Sequence, residues 1–293
     1  MSASVLAILD FAASPEGPRT LGHRLADPDA PQLTVADLAA TRGDGVFETI
    51  SIGRGRLQAL EPHLARFARS AAMLDLPAPD PGAWRDACTA IAARLAELPE
   101  AFVKIVLTRG IEGGDIPTGW ALGQASPDFS AVHRDGLAVA LLDRGLPHDV
   151  AATSPWLLAG AKTLSYAVNR AAVREAARRG ADDALFVSTD GVLLEGPVSN
   201  LVIRRGRRLS TPRVDLGILA GTTQADIFRW AEREGYETEQ AILRQADLAE
   251  ADAAWLVSSV RHAAPLRAVD GAAIPVDAEL TARINAALRA RVD

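Results

Sequence analysis

The chain has 293 residues, 48% hydrophobic and 23% charged, a globular composition with room for two domains that excludes a disordered or fibrous protein. A net charge of −6 argues against a nucleic-acid binder, and a single cysteine excludes an intrachain disulfide and suits a reducing, cytoplasmic setting. No apolar run approaches the roughly 20 residues that span a bilayer, and the start "MSASVLAILDF" lacks the basic n-region and long apolar core of a signal peptide.

In chain order, "VLAILDF" and "GVFETISI" read as strands, the second by alternation of Val46, Glu48, Ile50 and Ile52 against their neighbours. "EPHLARFARSAAMLDL" has helical apolar spacing with Pro62 in its first turn, and a second helix is expected over 81–97. "AFVKIVLTRG" and "GLAVALLDRG" are strands, and the Gly- and Pro-rich span 110–136 between them reads as loop throughout. A further irregular span, 151–160, is the expected connection between an N-terminal domain of residues 1–150 and a C-terminal domain of 161–293. After it come a helix over 164–179, strands "DALFVS", "VLLEG", "SNLVIRRG" and "RRLSTP", the helix "TTQADIFRWAEREG", strands "YETEQAIL" and "DAAWLVSS", and an amphipathic helix over 276–291. The pattern is α+β over two domains.

Among 31 basic residues only Lys104 and Lys162 are lysines. Arginine substitutes for lysine in solubility and ion pairing but cannot deprotonate to form an imine, so a lysine kept in so arginine-rich a chain is a candidate for chemistry. Lys104 lies mid-strand in "FVKIVL" and reads as structural. Lys162, in "AGAKTLSYAVNR", stands at a helix entrance after a Gly-containing loop. Downstream, "LLEGPVSNL" places Glu195 at the end of an apolar strand. "LGILAGTTQADIF" puts Gly217, Gly221, Thr222 and Thr223 at a helix start, where unpaired N–H groups and the dipole favour an anion. "LVSSVRHAAPL" ends a strand with Ser258 and Ser259. One imine-capable lysine, one carboxylate and a phosphate cup form the set that pyridoxal phosphate (PLP) requires. The five histidines show no metal-ligand spacing, and no metal site is expected.

The motifs "RGDGVFET", "EPHLARF", "LTRG", Lys162 with "LSYAVNR", "GADDALFVSTDGVLLEGPVSNL" and "GILAGTT" are, in order and spacing, similar to those of the fold-type IV PLP enzymes. That family holds 4-amino-4-deoxychorismate lyase and the branched-chain and D-amino-acid aminotransferases. The resemblance covers nearly the whole chain. It implies two α+β domains of D-amino-acid-aminotransferase-like architecture, a smaller N-terminal and a larger cofactor-binding C-terminal one, with the cofactor in the interdomain cleft of a homodimer. It implies Lys162 as the imine lysine and general base and Glu195 as partner of the pyridine nitrogen. Arg66 (with His63 one turn earlier), Thr222, Thr223 and Ser259 become phosphate ligands, and Leu219 packs on the ring. Phe47 stands on the substrate side, where D-amino-acid aminotransferases have tyrosine.

The specialised patterns are each incomplete. "TRGIEGGDIPTGW" lacks the arginine and histidine with which D-amino-acid aminotransferases trap a carboxylate, and Ala167 stands where branched-chain enzymes have a tyrosine. The lyase-like run "RGIEGG" departs at Asp115. Arg261, just past Ser259, is a candidate for binding a substrate carboxylate by bidentate pairing. With the missing trap it tilts the expectation to the lyase, which makes p-aminobenzoate and pyruvate, ahead of an aminotransferase acting on branched-chain or D-amino acids.

Overall fold

The computed structural model describes residues 4–291 and divides into two compact units. The first comprises the chain up to Pro127, Ala161–Tyr166 and Arg291; the second comprises Asp128–Gly160 and Ala167–Ala290. The boundary thus differs from the expected 1–150, 151–160 and 161–293 division, for a reason visible in strand pairing. The strand "LAVALLD" at 137–143 pairs with two strands of the second sheet, whereas Lys162–Leu164 pairs with a strand of the first.

The first unit is built on strands β1 (Val5–Ala12), β2 (Arg19–Ala26), β3 (Gly45–Gly53), β4 (Arg56–Leu57), β5 (Glu100–Thr108) and β6 (Thr118–Ala125), with helices α1 (Leu38–Arg42), α2 (Leu60–Met73) and α3 (Pro81–Arg94). The sheet runs β2-β1-β6-β5-β3-β4, antiparallel throughout. Alternation along β3 buries Val46, Glu48, Ile50 and Ile52 on one face, and Val103, Ile105 and Leu107 of β5 do the same. Each such aliphatic side chain contributes about 2 kcal/mol relative to exposure. Phe67 of α2 and Trp84 of α3 meet edge-to-face at 5.1 Å in this core. Phe47, Thr49, Lys104 and Trp120 lie on the opposite, more open face.

The span 110–136 is not loop throughout: it holds β6 and helix α4 (Ser130–Asp135). The glycines that give "TGWALGQA" its loop-like look are required by packing. A Cβ on Gly123 would lie 2.2 Å from Ile91 Cγ2, and one on Gly119 would press on Phe11 and Trp84 at 3.0–3.1 Å, so these glycines let α3 approach the sheet.

In the second unit the strands are β7 (Leu137–Asp143), β8 (Asp183–Val187), β9 (Glu195–Gly196), β10 (Ser199–Arg205), β11 (Arg208–Pro212), β12 (Glu237–Ala241), β13 (Ala253–Ser258), β14 (His262–Val269) and β15 (Ala272–Ala273). Its helices are α4, α5 (Val150–Thr153), α6 (Ala167–Arg178), α7 (Thr222–Arg233), α8 (Gln245–Ala249) and α9 (Ala278–Ala290). The sheet order is β12-β11-β10-β13-β14-β7-β8, with parallel pairs β11/β12, β14/β7 and β7/β8. Helices α7 and α9 cover Val202, Trp255 and Val257 with Ile227, Phe228, Leu280 and Ile284. Asn285 of α9 bonds both the N–H and the carbonyl of Ala263, at 2.9 and 3.0 Å.

Candidate active site

In the first unit the alternation of β3 puts a carboxylate, Glu48, on the buried face, where a charge must find partners. It accepts hydrogen bonds from Arg66 Nε at 2.6 Å, Arg66 Nη2 at 2.7 Å and His63 Nδ1 at 2.7 Å. His63 and Arg66 are one helical turn apart on α2, so one face of that helix delivers both donors. Burial by itself raises the Glu48 carboxyl; the charge and hydrogen bonds of Arg66, seconded by His63, overturn this and hold it far below the usual carboxylate range. Burial lowers His63 despite the attraction of Glu48, so a neutral imidazole donates from Nδ1. The guanidinium of Arg66 is thereby fixed through Nε and Nη2.

Lys162 does not open a helix; α6 starts only at Ala167. Residues 162–164 lie as an edge segment along β3: Phe47 N–H donates to the Lys162 carbonyl at 3.0 Å and Leu164 N–H to the Gly45 carbonyl at 2.8 Å. The Lys162 N–H donates to Ser70 Oγ of α2 at 3.1 Å. Gly45 belongs to this docking, since a Cβ there would sit 2.7 Å from the Leu107 carbonyl and 2.8 Å from Leu164 Cδ1. Next to it Asp44 pairs with Arg109 Nε at 2.7 Å, tying "RGDG" to "LTRG".

The Lys162 Nζ stands 4.5 Å from the centroid of the Phe47 ring, and Tyr166 meets that ring edge-on at 5.4 Å. Lys104, read from sequence as structural, brings its own Nζ to 5.9 Å from the same centroid. Both lysines of the chain are therefore attracted to one ring face or rim.

In the second unit Glu195 begins β9, which pairs with β10. Its Oε2 accepts from the Leu219 N–H at 3.2 Å and Asn200 Nδ2 at 3.3 Å; Asn200 Nδ2 also donates to the Leu219 carbonyl at 2.8 Å. Arg144 Nη1 stands 4.0 Å from Oε1. Gly221, the N-cap of α7, backs on this network so closely that a Cβ would be 2.0 Å from Asn200 Oδ1. Thr222 and Thr223, buried, open α7, and Thr223 Oγ lies 3.4 Å from Ser259 Oγ. Leu219 is brought to Glu195 by its backbone.

Arg261 is held by neighbours in its own unit. Its Nη1 lies 2.8 Å from Asp183 Oδ2 and its Nη2 3.4 Å from Ser199 Oγ, with the side chain 15% exposed. A buried carboxylate needs this cation more than a solvated ligand would. The guanidinium is thus engaged by an internal ion pair within the second unit.

Sequence reading also passed over Glu48, Ser70, Asn200 and Arg144. The position of Glu48 among buried apolar residues, with a histidine and an arginine at helical spacing downstream, was a usable signal for the first of them. Among the described residues no cluster of three or more His, Cys, Asp or Glu could hold a metal ion, and no helix is long and apolar enough to cross a membrane.

The profile of the amino-transferase class IV family matches residues 45–269. The chain belongs to that family. It is 43% identical over 266 residues to the bifunctional aminodeoxychorismate lyase / D-amino acid transaminase of Mycobacterium tuberculosis, covering 87% of this chain and 92% of the relative. The aminodeoxychorismate lyase of Vibrio harveyi is 27% identical over 265 residues, 86% of this chain and 94% of that one. A fold IV-transaminase from Curtobacterium pusillum superposes with a TM-score of 0.94 at 53% identity, covering 99% and 100% of the two chains. A hypothetical aminotransferase from Mycobacterium tuberculosis in PLP-bound form does so at 0.88 and 41%, covering 98% and 99%. The fold is the expected fold-type IV one.

The donor set fits PLP. Within the second unit, the hydroxyls of Thr223 and Ser259 beside a helix N-terminus suit a phosphate and the Glu195 carboxyl group suits a ring nitrogen; the first unit, taken by itself, holds a lysine amine and an oriented arginine.

Proposed function

We propose that this PLP-dependent enzyme converts 4-amino-4-deoxychorismate to p-aminobenzoate and pyruvate and also transfers amino groups between D-amino acids and 2-oxo acids. The observation that carries the pairing of activities is the 43% identity, over 92% of its length, to a relative described as having both. Bound PLP supplies an electron sink for the carbon that bears the substrate nitrogen.

The protein's own residues do the rest. Arg66, Thr222, Thr223 and Ser259 hold the phosphate, and Glu195, oriented by Asn200 and the Leu219 N–H, holds the ring nitrogen. Leu219 packs on the ring. Lys162 anchors the cofactor through its amine and, once displaced, takes the proton from the carbon bearing nitrogen. In the lyase reaction the C–O bond to the enolpyruvyl group then breaks as the ring becomes aromatic, and the departing enolpyruvate takes up a proton to become pyruvate. In transamination the Lys162 amine would hold that proton for return instead of passing it to a leaving group. Phe47 and Tyr166 frame the substrate beside the amine. The buried Cys88 accords with a cytoplasmic enzyme, and the reading includes a homodimer.

The test uses PLP-loaded protein in two separate assays: p-aminobenzoate fluorescence with aminodeoxychorismate, and 2-oxo acid formation from D-alanine with 2-oxoglutarate. Both activities are expected, and both lost in Lys162→Ala. Activity in one assay alone would remove the other half of the proposal, and turnover surviving in Lys162→Ala would remove the lysine assignment.

A further inference from the structure

We infer that Arg261 is a positioning residue for the phosphate-binding end of the site, setting cofactor affinity rather than substrate recognition. The inference rests on the reading of Ser259 as a phosphate ligand. Strands β13 and β14 pair as far as Ser258 and His262, which leaves Ser259, Val260 and Arg261 as a three-residue connection. His262 closes it with φ of 59°, a left-handed conformation that a non-glycine residue holds only under outside constraint.

That constraint is visible on both sides of the connection. The Arg261 guanidinium reaches Asp183 of β8 at 2.8 Å and Ser199 of β10 at 3.4 Å, while its carbonyl accepts from His133 Nε2 of α4 at 2.7 Å. Asp183 is itself buried and fixed, accepting at 2.9 Å from the Ala184 N–H. Three elements therefore hold one residue, two positions from Ser259, whose hydroxyl lies 3.4 Å from Thr223 at the start of α7. A guanidinium engaged in this way keeps the hydroxyl of Ser259 beside the helix N-terminus. Without it, the connection loses its main tether and the hydroxyl pair separates.

The experiment titrates full-length apoenzyme with PLP and, separately, with pyridoxal, which lacks the phosphate, following the absorption band. Substrate KM is measured at saturating PLP. The variants are Arg261→Ala, Arg261→Lys, Asp183→Asn and Ser259→Ala. Arg261→Ala is expected to weaken PLP binding on the order of tenfold, the scale of one charge-assisted hydrogen bond. Pyridoxal affinity and KM should stay within about twofold, Asp183→Asn should move PLP affinity the same way, and Arg261→Lys should recover part of it. A raised KM with unchanged PLP affinity in Arg261→Ala or Arg261→Lys would overturn the inference, as would equal losses for PLP and pyridoxal. If Ser259→Ala weakens PLP binding and neither Arg261 variant does, the positioning role alone fails. If Ser259→Ala leaves PLP binding unchanged, the phosphate reading fails and takes the inference with it.

Discussion

Replacing Glu48 by glutamine is the sharpest test of how the first unit holds its arginine. Glu48 has no solvent exposure and accepts three hydrogen bonds of 2.6–2.7 Å from Arg66 and His63. Glutamine keeps the shape and one acceptor oxygen but leaves the mostly buried guanidinium of Arg66 without its counter-charge. Breaking a buried pair from one side costs about 3–5 kcal/mol. The acid dependence has a definite sign. The folded-state carboxyl lies below its unfolded value, so its stabilisation is fully present above about pH 5 and is lost as pH falls toward the depressed folded value. Urea unfolding at pH 7 and at pH 4 measures both effects: Glu48→Gln should be destabilised by several kcal/mol at pH 7 and show a smaller loss than the wild type between the two. A penalty under about 1 kcal/mol at pH 7, together with unchanged PLP affinity, would refute the argument that Glu48 fixes Arg66.

His63 is held neutral by burial, so below about pH 6.5 the unfolded chain takes a proton that the folded one resists, and stability falls with pH; His63→Asn should flatten the slope between about pH 7 and 5 in the same unfolding series. In Gly221→Ala the new methyl meets Asn200 Oδ1, so the amide must leave Glu195, and a PLP titration should show weakened binding with a loss of about 1–3 kcal/mol in stability. The buried Cys88 thiol, pushed up to about 12, should resist thiol reagents at pH 8 in the native protein and react at once in urea.

What the sequence disclosed was local or periodic. The β3 alternation, the helical spacing in α2 and the Gly-Thr-Thr opening of α7 are each contained in one short window, and the structure forms all three. Strand β6 escaped because its glycines answer to Ile91, Leu95, Phe11 and Trp84, residues far away in sequence. The approach of Lys104 to Phe47 is hidden for a related reason: the two lie across a strand pair, and register is not written in either strand alone. In the sequence Arg261, two positions after Ser259, offers no sign of an internal partner. Only the fold reveals Asp183 waiting at the start of β8.

The excursion of Ala161–Tyr166 bears on how such a chain can be divided. A fragment ending at Pro127 would keep all six strands of the first sheet, yet Gly45 and Phe47 would present unpaired backbone groups along an open edge, a template for unwanted strand addition. A fragment starting at Asp128 would carry Lys162 with no strand to lie on. The amine is thus a property of the uncut polypeptide and of neither half. Exchanging halves between relatives at a single crossover near residue 127 would join the lysine of one parent to the docking edge of another, and Gly45, Leu164 and Ser70 would have to match across that seam.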